Sequence, residues 1–194
     1  GDKEAVKNVL DNYKKAIEYL NKAKVINPND AIVQLALGDA FYGDKNQNDA
    51  YAAYRNAFQI DPTLLRAKMQ LGVLLKGAKS YDEAIKSFNE VIAINASYGP
   101  VYRELAETYY KWGRNKPSKS AEYMQLAFTN YEKYMNLTDR SIHSRMRRAD
   151  FLVLLKDYKA LEEEANKMIE MDKVNPRIFR YLGYSAYENG NADL

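Results

Sequence analysis

Apolar residues near the N-terminus, Val6, Leu10, Tyr13, Ile17 and Leu20, recur at alternating spacings of four and three, uninterrupted by Gly or Pro. That is the period of one helical face, and it predicts a single helix from about Asp2 to Val25. Beyond it the pattern itself repeats. Residues 31–64 and 65–98 align without a gap as two copies of a 34-residue unit. Leu37-Gly38 falls on Leu71-Gly72, Phe41 on Leu75, Ala50 on Ala84, Tyr54 on Phe88, Ala57 on Val91 and Ile60 on Ile94. A fixed period of this length marks stacked helix pairs, in which each unit touches only its neighbours.

The repeated positions have a physical reading. Gly38, Gly72 and Gly183 fall in mid-helix, where glycine costs roughly 1 kcal/mol against alanine. Such a cost is tolerated where a side chain would hold the paired helix away, and Ala50 and Ala84 are expected to face these glycines. Asn27-Pro28, Asp61-Pro62 and Asn175-Pro176 each predict an Asx N-cap followed by proline at the first helical position. Ser80-Tyr-Asp-Glu83 reads as a capping box that opens a helix.

With Leu-Gly at positions 7 and 8, an aromatic near 11, Ala at 20, an aromatic at 24, Ala at 27 and Pro at 32, the unit resembles the tetratricopeptide repeat. The resemblance extends beyond the two strong copies. Residues 1–30 read as the N-terminal helix, 31–64 as repeat one and 65–98 as repeat two. Residues 99–141 read as repeat three with an insertion near 113–121, 142–175 as repeat four and 176–194 as a partial repeat five. It implies an all-α fold, a single right-handed superhelical array of antiparallel helix pairs.

The same resemblance implies a non-catalytic protein–protein interaction scaffold that binds a peptide or protein segment in a concave groove. In similar proteins, positions 2, 5, 9, 12 and 13 of each first helix line that groove. Here the candidates are Tyr42, Arg66, Met69, Lys76, Arg103, Tyr110, Arg180 and Tyr184, accompanied by Leu35, Asp39, Val73, Glu107, Lys111, Met146, Asp150, Val153, Arg177 and Tyr187. Arginine and tyrosine are the side chains that most often dominate interface energetics, and the mixture suits a peptide with some acidic character. The family's carboxylate clamp for chaperone C-termini is absent: Leu35, Asp39 and Gln70 stand at its positions, and starting one repeat later gives Met69 and Val73.

Composition narrows the function classes. A net charge of +3 is too small to point to nucleic acid or a membrane surface, and no run of 18 apolar residues exists to span a bilayer. Zero cysteines exclude thiolate chemistry and leave the compartment open. His143 is the one histidine, too little for an ordinary zinc site. No phosphate-binding glycine loop, nucleophile elbow or zinc-protease motif is present. These observations predict no catalytic residues, no metal and no cofactor within the segment.

Four features stay open at this level. Gly113 to Lys119 reads as a turn, followed by a helix about two turns longer than its counterparts. Tyr123, Leu126 and Phe128 on it either pack internally or project towards a partner. The arginines at 140, 145, 147 and 148 spread around a helix, which favours internal ion pairs, notably with Glu162 to Glu164, over a basic binding stripe. His143 is expected at the surface beside them. The last helix, with Tyr181, Tyr184 and Tyr187, lacks a covering partner, so the array is expected to continue or to self-associate there. Two other functions remain: a docking arm of a larger protein with an enzyme domain elsewhere, and a self-assembling structural module.

Overall fold

Four-residue links separate the helix pairs, and they show how this chain turns from one pair to the next. The computed structural model describes residues 2–138 and 140–190, as two compact units, Gly1–Ile94 and Asn95–Leu194. In the first unit α1 (Asp2–Ile26), α2 (Ala31–Gly43), α3 (Gln47–Ile60), α4 (Leu65–Gly77) and α5 (Tyr81–Ile94) pack each against the next. The second holds α6 (Gly99–Asn115), a 3-10 turn (Pro117–Lys119), α7 (Ser120–Leu137), α8 (Ile142–Leu155), α9 (Tyr158–Met171) and α10 (Pro176–Glu188). Among the described residues there is no strand.

Four of the five links begin with an Asx residue, Asn27, Asp61, Asn95 and Asp172, and the link between α7 and α8 begins with Thr138. In three of them the side-chain oxygen accepts from the backbone N–H two residues on, Thr63, Ser97 and Val174 respectively. This Asx turn reverses the chain without needing a glycine. The helix cap is a separate device at the end of the link. Asp30 caps α2 through the N–H groups of Ile32 and Val33, and Asn175 caps α10 through Arg177, whereas Leu64 and Tyr98 offer no side-chain cap. The Asx-Pro expectation therefore holds at Asn175-Pro176 alone. Asn27-Pro28 and Asp61-Pro62 open the link rather than the helix, and proline there serves to stop the preceding helix.

Within the pairs α2–α3, α4–α5 and α8–α9, the turn carries a lysine in the left-handed region: Lys45 (φ 63°), Lys79 (φ 64°) and Lys156 (φ 58°). All three occupy position 15 of their unit.

The mid-helix glycines are explained by rings rather than by a facing helix backbone. A Cβ on Gly72 would stand 2.5 Å from Cε1 of Phe88, and one on Gly38 would run into the ring of Tyr54. Position 24 thus seats its aromatic on position 8, while Ala50, Ala57, Ala84 and Val91 are fully buried around the seat. Gly183 departs from this pattern, because a Cβ there meets nothing within 4 Å. Its helix, α10, buries Ile178 and Tyr181 against a cluster from α8 and α9 and leaves Phe179 and Tyr187 exposed. The last four residues of the predicted fifth repeat, 191–194, lie outside the described residues.

The lengthened pair α6–α7 corrects another expectation. Gly113 does not begin a turn; α6 continues through it to Asn115. There the missing side chain admits α7, since a Cβ would lie 3.0 Å from Met124 and 3.1 Å from Tyr123. Tyr123 is buried and stacks on Trp112 with ring centroids 4.5 Å apart, and Phe128 packs against two core clusters. The extra turns of the two helices cover each other.

Candidate functional site

Each unit has a cleft lined by the first helices of its pairs, joined in the N-terminal unit by α1. In the N-terminal unit its volume is about 460 Å³. Tyr13, Ala16 and Leu20 of α1 form one wall, Ala36, Asp39, Ala40, Tyr42 and Gly43 of α2 the other, and Arg66 of α4 closes the end. Small residues make the room. The charges within it answer one another: Arg66 donates to Asp39 at 2.7 Å, and the Tyr54 hydroxyl donates to the other carboxylate oxygen at 2.8 Å. Burial first, and then this hydrogen bond to a carboxylate, push the Tyr54 hydroxyl well above the ordinary tyrosine range.

In the C-terminal unit the cleft measures about 420 Å³. Tyr110 comes from α6; Arg147, Asp150, Phe151, Val153 and Leu154 from α8; and Arg180, Tyr181 and Tyr184 from α10. The charged pair of the first cleft recurs here at the same repeat positions, nine and two. Arg177 reaches both oxygens of Asp150, at 2.8 and 2.6 Å, and the Tyr181 hydroxyl donates to Oδ1 at 2.6 Å. Burial, reinforced by that bond, pushes the Tyr181 hydroxyl up to about 12. In both cases the Asp and Arg lie 27 residues apart, which joins one pair's first helix to the next.

Two further arginines distinguish the second cleft. The guanidinium carbon of Arg147 lies 5.0 Å from the Tyr110 ring centroid and 5.1 Å from that of Phe151, and that of Arg180 lies 5.9 Å from the Tyr181 centroid. Neither makes an ion pair or hydrogen bond among the described residues. A guanidinium near an aromatic ring is attracted to the ring's π-face while its N–H donors can still serve a carboxylate.

The sequence-derived candidates divide accordingly. Tyr42 and Arg66 line the first cleft; Tyr110, Arg180 and Tyr184 line the second. Arg103 is elsewhere, within 3.5 Å of Glu104 and over the ring of Tyr134. Met69 and Lys76 are only 7% exposed each, so they belong to the packing of α4 rather than to an open surface. Leu35 and Met146 are buried as well. Arg147, Phe151, Leu154 and Tyr181 were not among the candidates, although residues 147, 150, 151 and 154 form one stripe of α8.

The rest of the basic stretch is internally paired. Glu164, 3% exposed, accepts from Arg145 at 2.9 Å and from Arg148 at 3.0 Å, and Arg148 also reaches Glu132. This network ties α7, α8 and α9 together. His143 is exposed. No described helix is long and apolar enough to cross a membrane.

Stacked helix pairs, an aromatic seated on a glycine and first-helix clefts define a helical-repeat protein, and comparison with known proteins gives the family. Residues 65–98 match the tetratricopeptide repeat family model. This chain thus contains a tetratricopeptide repeat and has the fold of tetratricopeptide-repeat proteins. It is similar to Superkiller protein 3 of Schizosaccharomyces pombe, with 29% identity over 100 residues, covering 52% of this chain and 7% of that protein. It is also similar to the peroxisomal targeting signal receptor of Saccharomyces cerevisiae, with 30% identity over 87 residues, covering 42% and 14%. The chain thus spans a small part of the length of these relatives. The fold matches the crystal structure of YrrB, a tetratricopeptide-repeat protein with an unusual peptide-binding site, with a TM-score of 0.68, 19% identity and coverage of 91% of this chain and 86% of that one. The architecture is that of a protein-interaction scaffold.

Proposed function

We propose that this scaffold binds a peptide segment of another protein along the first-helix surface of its repeats, with the C-terminal cleft as its main seat. The observation that carries this reading is convergence. Side chains from the first helices of three successive pairs, α6, α8 and α10, meet around one cleft with an aromatic floor. A cleft with apolar walls and a few placed polar groups is the usual form of a binding site, and exposed tyrosine and arginine are the usual carriers of binding energy. YrrB, whose fold this chain shares, is a tetratricopeptide-repeat protein with an unusual peptide-binding site.

A phage-displayed library of random peptides provides the test. Peptides selected on the wild-type protein should bind Tyr110→Ala and Tyr184→Ala at least about ten-fold more weakly, a loss of ~1.4 kcal/mol or more. They should bind Glu163→Ala, altered at an exposed residue of α9, as tightly as wild type. Selected peptides that ignore both tyrosine changes would refute the location.

A further inference from the structure

We infer that the C-terminal cleft selects a peptide segment in which a large apolar residue is flanked on both sides by carboxylates. The inference rests on the peptide-binding reading above and adds the chemistry of the partner.

The floor sets the central residue. Val153, Leu154 and Tyr184 present apolar surface between α8 and α10, with the buried Phe151 ring behind them, in a space of about 420 Å³, large enough for a leucine or an aromatic side chain. The two arginines at this floor set the flanks. Arg147 lies close to the edge-to-face pair of rings formed by Tyr110 and Phe151, and Arg180 lies near the Tyr181 ring. Arginine normally loses much rotamer freedom on binding. Here the rings already hold each guanidinium, so part of that cost is met before the ligand arrives. Arg114, over the ring of Tyr110 with 5.8 Å to the centroid, adds positive charge beside Arg147.

The acidic residue in the cleft does not cancel them. Both oxygens of Asp150 are taken, by the Arg177 guanidinium and the Tyr181 hydroxyl. Counting Arg177 with it, the Asp150 group is neutral, which leaves Arg147 and Arg180 as charge that no carboxylate among the described residues pairs, around an apolar floor. The N-terminal cleft serves as an internal control. Its one lining arginine, Arg66, is already paired with Asp39, so no charge preference is expected there. The recognition surface is a pair of arginines around an apolar seat. That differs from a clamp on a C-terminal carboxylate, because each guanidinium addresses a side chain and the peptide runs through.

The experiment uses three short synthetic peptides, fluorescently labelled, each with Leu-Phe at the centre. The first has glutamates on both sides, the second serines, the third lysines. Anisotropy titration should rank the glutamate peptide first and the lysine peptide last. Arg147→Gln and Arg180→Gln should each weaken the glutamate peptide roughly five- to ten-fold and leave the serine peptide unchanged. Arg147→Lys should restore part of the preference, because a cation remains without the planar fork. The preference should also shrink as salt is raised. Equal affinity for the glutamate and serine peptides overturns the inference and leaves peptide binding standing. Library-selected peptides that depend on Tyr110 and Tyr184, with no binding of the glutamate peptide, have the same meaning. If no peptide of any kind binds, both readings fall. Circular dichroism on the two glutamine variants checks that neither has lost its helices.

Discussion

The two units of this protein use one repeat frame for different ends. In the N-terminal unit, position 8 of α4 is Gly72, tight beneath the Phe88 ring; in the C-terminal unit, position 8 of α10 is Gly183, with open space beyond it. The paired aspartate and arginine recur in both, Asp39 with Arg66 and Asp150 with Arg177. Among the described residues, the second cleft adds arginines that no carboxylate answers. What recurs is architecture, a fixed distance of 27 residues that staples neighbouring first helices. What differs is the surface left for a partner. An arginine at a groove position is therefore weak evidence of binding until its own partner is known.

The largest expected effect tests whether the basic stretch of the C-terminal unit is structural where it touches Glu164. Glu164→Ala would leave Arg145 and Arg148 without their shared carboxylate at the join of α7, α8 and α9. Removing one side of a buried ion pair costs ~3–5 kcal/mol, and the partly exposed arginines place this case near the lower end, at ~3 kcal/mol. Urea denaturation would measure it, and a loss under ~1 kcal/mol would show the network to be surface decoration.

Next comes the contrast between the glycines. Gly72→Leu must displace the Phe88 ring and should cost ~2–3 kcal/mol by overpacking. Gly183→Ala, which meets nothing within 4 Å, should instead stabilise α10 by up to ~1 kcal/mol, the ordinary helix propensity difference. Thermal melts of the two variants should move in opposite directions. A fall in both would mean that the space beyond Gly183 is filled in solution.

The smallest effect sharpens the likeness. The Tyr181 hydroxyl, at about 12, sits above its ordinary value of 10.0, so the unfolded chain gives up this proton first. Its contribution to stability is complete below pH ~10 and is lost as pH rises towards ~12. Tyr181→Phe should cost about 1 kcal/mol at neutral pH through the lost hydrogen bond, and its stability should fall less steeply under alkali than that of the wild type. Tyr54→Phe should behave the same way in the N-terminal unit. Parallel alkaline curves for wild type and both variants would show that the aspartate–tyrosine bonds do not govern this loss.

Much of the fold was readable because the repeat places unusual residues at fixed intervals. Glycine in mid-helix at 38 and 72, with an aromatic sixteen residues later, reflects a close approach that few other residues permit. The caps were less readable. Asn27 and Asp61 look like N-caps beside proline, but both open the link, and at Asp61 the side chain makes an Asx turn with the acceptor a cap would use; only the length of the link separates the two. The cleft was half readable. Tyr110, Arg180 and Tyr184 follow from the groove positions, whereas Met69 and Lys76 share those positions and are buried by their neighbours. Arg147 was hidden by company: in the sequence it reads with Arg145 and Arg148, yet it turns to the other face of α8. The stripe it forms with Asp150, Phe151 and Leu154 was the signal that could have separated it.

The left-handed lysines carry a consequence of their own. Lys45, Lys79 and Lys156 are exposed, and each sits at the turn inside a helix pair rather than between pairs. They are the residues after which a trypsin-like protease cuts, presented on turns, the sites where nicking concentrates. Cleavage after Lys45 and Lys79 would excise a segment that begins with the second helix of one pair and ends with the first helix of the next. Proteolytic fragments of this protein would therefore be cut across its repeats, each holding halves of two neighbours that meet as a repeat junction.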